Sequence, residues 1–180
     1  MTKPKLLTIS GALRAGSTNT MLLAEAVRLF GPADVAQADL RLPLYDGDLE
    51  AEAGIPASVQ TLADAIADAD AILISTPEYN KGIPGVLKNA LDWVSRTKGN
   101  PWAGKPVAIM SAAAGRAGGE RSQMMLRASL VPFQMRLLQG PEMMLANSSA
   151  AFDAGGQLTD ERSIATLSAL LDALKVEMAR

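Results

Sequence analysis

The chain has 180 residues, with 17 basic and 19 acidic side chains, and contains neither histidine nor cysteine. These counts exclude Ser-His-Asp and Cys-His nucleophilic sites, zinc held by His or Cys, thiol redox chemistry and disulfide bonds. The net charge of −2 argues against a nucleic-acid-binding protein, and no apolar run reaches the roughly 18 residues that span a bilayer. A hydrophobic content of 48% is enough for one packed core. We therefore expect residues 1–180 to form a single cytoplasmic domain, with a cofactor or carboxylates providing any difficult chemistry.

Short apolar runs alternate with amphipathic stretches along the chain, which is typical of repeated strand–helix units. Strands are predicted at residues 6–9, 33–40, 71–75 and 107–110, and a fifth at 135–138 and 142–145 with an interruption at Gly140-Pro141. Helices are predicted at residues 19–30, 55–68, 84–94 and 122–130. The last helix is predicted to begin after Thr159 as its N-cap, with a buried stripe of Ile164, Leu167, Leu171 and Leu174.

Five strand–helix units predict an α/β fold with a parallel, doubly wound sheet and helices on both faces. Ligands of such folds bind at the carboxyl ends of the strands, near the point where the strand order reverses. Three loops follow predicted strands at that edge, namely residues 10–19, 76–85 and 111–119. We expect the functional site to lie among them.

The first loop, residues 10–19, combines small residues with hydrogen-bond donors directly before a helix. Ser17, Thr18 and Asn19 supply side-chain donors, and Arg14 supplies a forked cation. Unpaired N–H groups at the helix N-terminus attract anions, so the loop suits a phosphate dianion. It has neither the Gly-Lys-Ser/Thr ending of a P-loop nor the Gly-x-Gly-x-x-Gly dinucleotide motif. An ordinary tight turn with Ser and Thr capping is the alternative interpretation.

The second loop, residues 76–85, follows the most apolar strand and contains two prolines and two glycines, which restrict its backbone path. Tyr79 and Asn80 place a ring and an amide at the strand's carboxyl end. A flat heteroaromatic ligand could use both, through stacking and polar contacts. The alternative is a rigid loop in which Tyr79 only packs.

The third loop, residues 111–119, contains almost no bulky side chains. A wall of this kind lets the edge of a planar ring approach backbone amides. A flexible loop without a ligand explains the composition equally well.

Several segments of the chain resemble one known family. They are the first loop, Pro77-Glu78-Tyr79-Asn80 with its continuation Lys88-Asn89-Ala90-Leu91-Asp92-Trp93, Gly118-Gly119-x-Arg121, and Leu42-Pro43-Leu44-Tyr45-Asp46. Together they resemble the NADPH-dependent FMN reductase family, which includes bacterial quinone and chromate reductases. The resemblance covers roughly residues 6–145, and residues 77–93 are its most specific part.

The resemblance implies a flavodoxin-like three-layer αβα sandwich with strand order 2-1-3-4-5 and non-covalently bound FMN. Hydride would pass from NADPH or NADH to FMN, and then electrons to a small acceptor: a quinone, free flavin, azo compound or chromate-type oxyanion. No catalytic side chain and no metal are implied, since the flavin performs the chemistry. The family also implies a homodimer or homotetramer, with Trp93 buried at the interface.

The resemblance assigns cofactor contacts to three groups of residues. Residues 12–19 would hold the FMN phosphate, Pro77 to Asn80 would line the isoalloxazine, and Ser111 and Ala112 with Gly115 would close its other edge. Ala12 and Ala112 stand where the family often has a hydroxyl-bearing residue, so backbone N–H groups would have to compensate. The full predicted set is Ser10, Gly11, Ala12, Leu13, Arg14, Ser17, Thr18, Asn19, Pro77, Glu78, Tyr79, Asn80, Ser111, Ala112 and Gly115.

Two other functions fit the same loops. A flavodoxin-type electron carrier would bind FMN without its own NAD(P)H turnover, but such carriers are strongly acidic, whereas the net charge here is only −2. A binding or regulatory protein could keep the fold without flavin. Lys81, Arg116 and Arg121 are candidates for nicotinamide-phosphate or intersubunit contacts, or are solvated surface charges. The nine methionines are predicted to fill the core rather than a surface.

Overall fold

The computed structural model describes residues 2–180 and is built on one parallel sheet. Its strands are β1 (Lys5–Ser10), β2 (Asp34–Gln37), β3 (Ala71–Thr76), β4 (Pro106–Ala112), β5 (Arg136–Leu137) and β6 (Met143–Leu145). Their order is β2-β1-β3-β4-β5, and β6 also pairs with β4. Because β5 and β6 pair with successive parts of β4, they are two halves of the predicted fifth strand, separated by the Gly140-Pro141 interruption. The predicted strand order is therefore confirmed.

Helices cover both faces of the sheet. They are α1 (Thr18–Phe30), α2 (Gly47–Ala53), α3 (Ala57–Asp68), α4 (Gly85–Val94), α5 (Glu120–Leu130) and α6 (Glu161–Met178). Side chains alternate between the two faces of a strand, so Ile72 and Ile74 of β3 join the core under α3, α4 and α5, while Leu73 joins the core under α1 and α6. Every residue of β3 is buried. The three-layer arrangement is thus confirmed.

Three local predictions differ from the structure. Helix α2 was not predicted, because none of its seven residues is buried and it shows no apolar stripe. Strand β2 is shorter than predicted and fully exposed at the sheet edge. The N-cap of α6 is Asp160 rather than Thr159, since its carboxylate accepts the N–H of Ser163 at 2.8 Å.

Of two predictions about large side chains, the one for Trp93 is wrong and the one for the methionines is wrong for two exposed residues. Trp93 has no exposed surface within the chain, and its Nε1 donates to the carbonyl of Pro43 at 2.8 Å, so this side chain cannot contact a partner subunit. Met124 and Met125 are 63% and 47% exposed, because they lie on the outer side of α5. In the part of the chain that the structure describes, no helix is long and apolar enough to cross a bilayer.

Candidate functional site

The three loops meet at the carboxyl edge of the sheet. Strands β1, β3 and β4 end side by side, with Ser10 opposite Ser75 and Thr76 opposite Ser111. The loops enclose a cavity of about 280 Å³. It is lined by Arg14, Ser17, Thr18, Asn19, Pro77, Glu78, Tyr79, Ala112, Ala113, Ala114, Ser148 and Ser149. Eight of the fifteen predicted residues thus line one cavity.

The other seven predicted residues lie around the cavity without lining it. Ser10, Gly11, Ala12 and Ser111 are buried at strand ends, whereas Leu13, Asn80 and Gly115 are exposed. The Ser10 hydroxyl lies 3.0 Å from that of Thr20 and 3.3 Å from the N of Ala12, so it joins the start of the first loop to α1. These residues shape the loops, and their predicted contacts with a cofactor stay predictions.

The N-terminus of α1 opens onto the cavity. Ser17 is its N-cap, with a side chain that accepts the N–H of Asn19 at 3.2 Å. The Arg14 guanidinium is exposed and donates one bond, from Nη1 to the carbonyl of Gly16 at 2.7 Å, which leaves its other N–H groups available. A helix N-terminus beside a guanidinium is a site for a compact anion.

The Asn19 side chain is buried and hydrogen-bonded within the protein. It is 2% exposed, and its Oδ1 accepts from Ser75 Oγ at 2.8 Å and from the N of Ala112 at 3.0 Å. Its Nδ2 donates to the carbonyl of Ala112 at 2.9 Å. One side chain therefore joins the beginning of α1 to β3 and β4. Its predicted contact with phosphate stays a prediction, with one amide hydrogen left to make it.

The second loop folds back as a two-residue turn. The N–H and carbonyl groups of Tyr79 and Gly82 exchange two hydrogen bonds of 3.1 Å, and both intervening residues, Asn80 and Lys81, have positive φ (50° and 66°). This is the geometry of a type I′ turn. The Met125 sulfur would lie 3.3 Å from a Cβ at Gly82, so α5 packs against the turn. Tyr79 lines the cavity yet stays 49% exposed.

The beginning of α5 holds the second loop in place. Ser122 is fully buried, and its Oγ donates to the carbonyl of Pro77 at 2.8 Å. The Glu78 carboxylate accepts the N–H of Arg121 at 3.1 Å and lies 3.7 Å from its guanidinium. Gly119, the N-cap of α5, has no side chain to offer, so Glu78 supplies the missing cap from another loop.

The third loop is fixed by close contacts below it. A Cβ at Gly118 would lie 2.6 Å from the carbonyl oxygen of Met144, and one at Gly119 would lie 2.8 Å from Ser111 Cβ. Ser111 Oγ donates to the carbonyl of Gly118 at 2.6 Å and accepts from Gln123 Nε2 at 2.8 Å. The Ser111 hydroxyl is therefore used to position the loop.

Four residues of this region were missed by the sequence reasoning. Ser122 and Gln123 lie inside a predicted helix, where nothing marks them as supports of a loop. Ser148 and Ser149 follow β6 at the same sheet edge, and Ser148 Oγ lies 3.0 Å from Thr18 Oγ1. The rule that ligands bind at strand carboxyl ends, applied to the last strand as well, would have found these two serines.

The three loops differ in charge from the rest of the molecule. They contain Arg14, Lys81 and Arg116 but only one acid, Glu78, so their net charge is +2 in a chain of net charge −2. Within residues 2–180, no group of three or more acidic side chains is arranged to hold a metal ion. The loops around the cavity therefore favour an anionic ligand, although Arg14 and Glu78 balance each other in the lining itself.

The FMN reductase family is the one that comparisons with known proteins identify. The model of the family described as NADPH-dependent FMN reductase matches residues 4–150. An NAD(P)H-dependent FMN reductase of Pseudomonas aeruginosa is 43% identical over 178 residues, covering 98% of this chain and 96% of that protein. A quinone reductase of Escherichia coli is 43% identical over 146 residues, covering 79% and 77% respectively.

A solved structure gives the same result. The flavoenzyme NAD(P)H:(acceptor) oxidoreductase FerB from Paracoccus denitrificans superposes with a TM-score of 0.88 at 34% identity, covering 98% of this chain and 97% of that one.

Proposed function

The chain belongs to the NADPH-dependent FMN reductase family, and from this membership we propose that it reduces a small quinone with electrons from NAD(P)H. It is an oxidoreductase that uses FMN and NAD(P)H. When bound, FMN would supply the two-electron redox chemistry that links NAD(P)H to the acceptor. The balanced reaction converts NAD(P)H, a proton and a quinone into NAD(P)⁺ and a hydroquinone.

The first loop would hold the phosphate of FMN. The N-terminus of α1 provides partial positive charge, Ser17 and Thr18 provide hydroxyls at the cavity wall, and Arg14 provides a full charge with free N–H groups. The donors and the charge fit a phosphate dianion. This convergence of one cation and one helix N-terminus in the cavity is the structural observation that carries the FMN-binding part of the proposal.

The flavin ring would lie between the second and third loops. Pro77 and Tyr79 form one wall, and Ala112 to Ala114 form the other without bulky side chains. The hydrogen bonds from Ser122 and Ser111 keep both walls in place before any ligand binds, which lowers the ordering cost of binding. The role of these residues is to bind and orient, and no side chain is assigned a proton transfer.

A flat aromatic acceptor fits the mouth of the cavity best. Tyr79 is about half exposed, and the exposed Met125 lies against the same turn. Aromatic and thioether groups favour planar, polarisable ligands. The relatives named quinone reductase and 2-hydroxy-1,4-benzoquinone reductase support the same class.

The test is reduction of the FMN-loaded protein under anaerobic conditions, followed by a panel of acceptors. We expect rapid bleaching of flavin absorbance by NAD(P)H, and a kcat/KM for benzoquinones above those for chromate, an azo dye and free FMN. Free FMN without protein is the control for background reduction. A protein that takes up no FMN, is not reduced by NAD(P)H, or prefers chromate over every quinone contradicts the proposal.

A further inference from the structure

Lys81 occupies a backbone position that suits glycine. It is the second central residue of the type I′ turn, with φ of 66°, in the left-handed region that L side chains rarely adopt. The usual pair in such turns is Asn-Gly, and here the sequence is Asn-Lys. The chain thus keeps a lysine where a glycine would relieve strain. Strained residues concentrate at functional sites, so an observed outlier motivates a functional hypothesis.

Lys81 is also an exposed charge without an ion-pair partner, and it lies on the second of the three loops, whose net charge is positive. The ion pairs of residues 2–180 leave both Lys81 and Arg116 unpaired, whereas Arg121 is occupied by Glu78. Lys81 lies two residues beyond Tyr79 but outside the cavity lining. Lys81 is therefore placed to contact a ligand that approaches the cavity from solvent.

We propose that Lys81 recognises a phosphate group of the pyridine dinucleotide as the nicotinamide enters between the second and third loops. The inference rests on the proposed function, because it assumes a dinucleotide at this cavity. The group that Lys81 contacts is a phosphate. It belongs either to the pyrophosphate, which NADH and NADPH both carry, or to the 2′-phosphate, which only NADPH carries. An ammonium on a flexible stem suits such a solvent-side contact.

The test compares Lys81→Gly with Lys81→Arg and with Lys98→Ala. Lys98 is an exposed lysine beyond the end of α4, at the opposite edge of the sheet. NADP⁺ and NAD⁺ are titrated calorimetrically into FMN-loaded protein, and thermal unfolding is measured without nucleotide. Lys81→Gly is expected to raise Tm by about 2–4 °C through relief of strain and to weaken nucleotide binding by about 3- to 10-fold. Lys81→Arg should bind nearly as well as wild type, and Lys98→Ala should change neither quantity.

Which nucleotide binds more weakly to Lys81→Gly identifies the phosphate that Lys81 contacts. Weaker binding of NADP⁺ alone assigns the contact to the 2′-phosphate, and equal weakening for NAD⁺ assigns it to the pyrophosphate. A raised Tm with unchanged affinity for both nucleotides overturns the inference and makes Lys81 an ordinary surface charge. Failure of the wild type to be reduced by NAD(P)H is a different result, which contradicts the proposed function itself.

Discussion

Arg14 and Asn19 belong to the same loop, but the polar group of Arg14 is exposed to solvent and that of Asn19 is bonded within the protein interior. The Arg14 guanidinium is exposed and makes a single bond, to Gly16, whereas the Asn19 amide is buried and makes three bonds, to Ser75 and Ala112. A hydrogen bond to an exposed group contributes little to folding, and an unsatisfied buried group costs a great deal. Cofactor affinity and stability should therefore respond separately to these two residues.

Replacing Arg14 should affect cofactor binding without affecting folding. In Arg14→Ala, loss of a charge-assisted phosphate contact is expected to weaken FMN binding by about 1.5–3 kcal/mol, with unfolding free energy within about 0.5 kcal/mol of wild type. FMN titration by fluorescence and urea denaturation measure the two quantities. Arg41→Ala is the matched control, because Arg41 also contacts the loop, at the carbonyl of Leu13, but does not line the cavity. Unchanged FMN affinity in Arg14→Ala would count against the phosphate assignment.

Replacing Asn19 should destabilise the protein even without cofactor. Asn19→Ala leaves the Ser75 hydroxyl and both backbone groups of Ala112 without their partner, so we expect the unfolding free energy to fall by about 3 kcal/mol. Thr18→Ala, which removes only the bond to Ser148, should cost about 1 kcal/mol. Urea denaturation of the FMN-free variants tests both values. Equal stability of the two variants would show that the Asn19 bridge does not support the fold.

At the scale of elements, the N-terminus of α5 organises two of the three loops. Ser122 bonds to the second loop, while Gln123, through Ser111, fixes the third. The close approach of the third loop to Met144 leaves no room for a side chain at Gly118, which also has φ of 60°. Gly115, three residues earlier, has nothing within 4 Å of a Cβ position. Packing therefore requires glycine at position 118, whereas at position 115 there is space for a side chain.

Gly118→Ala should destabilise the protein, and Gly115→Ala should not. The added methyl at Gly118 meets a backbone carbonyl and an unfavourable φ together, so we expect a loss of about 2–4 kcal/mol. For Gly115→Ala the expected change is within about 0.5 kcal/mol. Chemical denaturation gives both values. If Gly115→Ala nevertheless weakens FMN binding, that result would support the predicted contact of Gly115 with the cofactor.

A second group of hydrogen bonds holds α2, and the segment that precedes it, against α4 and the residues that follow α4. Asn89 and Trp93 both donate to the carbonyl of Pro43. Beyond it, Glu50 of α2 accepts from Arg96 at 3.0 Å and from the Tyr45 hydroxyl at 3.1 Å. The bond from Arg96, together with that from Tyr45, lowers the pKa of Glu50, and the bond to Glu50 raises the pKa of Tyr45.

The lowered pKa of Glu50 predicts a pH-dependent contribution to stability. Because the carboxylate is favoured in the folded state, its contribution is present above the ordinary glutamate pKa of about 4.3 and is lost as pH falls through the lowered folded value. Glu50→Gln should therefore be less stable than wild type at neutral pH, and the difference should disappear in acid. Urea midpoints across this range test the sign. Glu52→Gln, at an exposed neighbour on the same helix, is the control for the substitution itself and should be as stable as wild type at neutral pH.

For the whole molecule, sequence reasoning succeeded where burial leaves a local pattern. Strand β3 was predicted because all six of its residues are buried and the first four form an unbroken apolar run. Helix α2 was not, because it buries nothing and has no periodicity. The site followed from loops placed after strands, but Ser148 could not be paired with Thr18 across 130 positions of chain without the fold. Local composition thus identifies the edge of the sheet at which a ligand binds, whereas long-range packing determines which hydroxyl groups lie at that edge.

Assembly is the remaining property of the whole molecule, and it stays a prediction. With Trp93 enclosed, we expect the contact surface on the outer side of α5, where Met124 and Ala128 of the helix and its C-cap Val131 are all exposed. Their spacings of four and three residues place them on one face. Monomers rarely leave contiguous apolar surface in water. We expect a dimer or tetramer at micromolar concentration, dissociated by Met124→Lys with Val131→Lys. Val176→Lys, on α6 and 60% exposed, should leave it intact. Sedimentation velocity measures the three proteins, and a monomeric wild type would exclude the predicted oligomer.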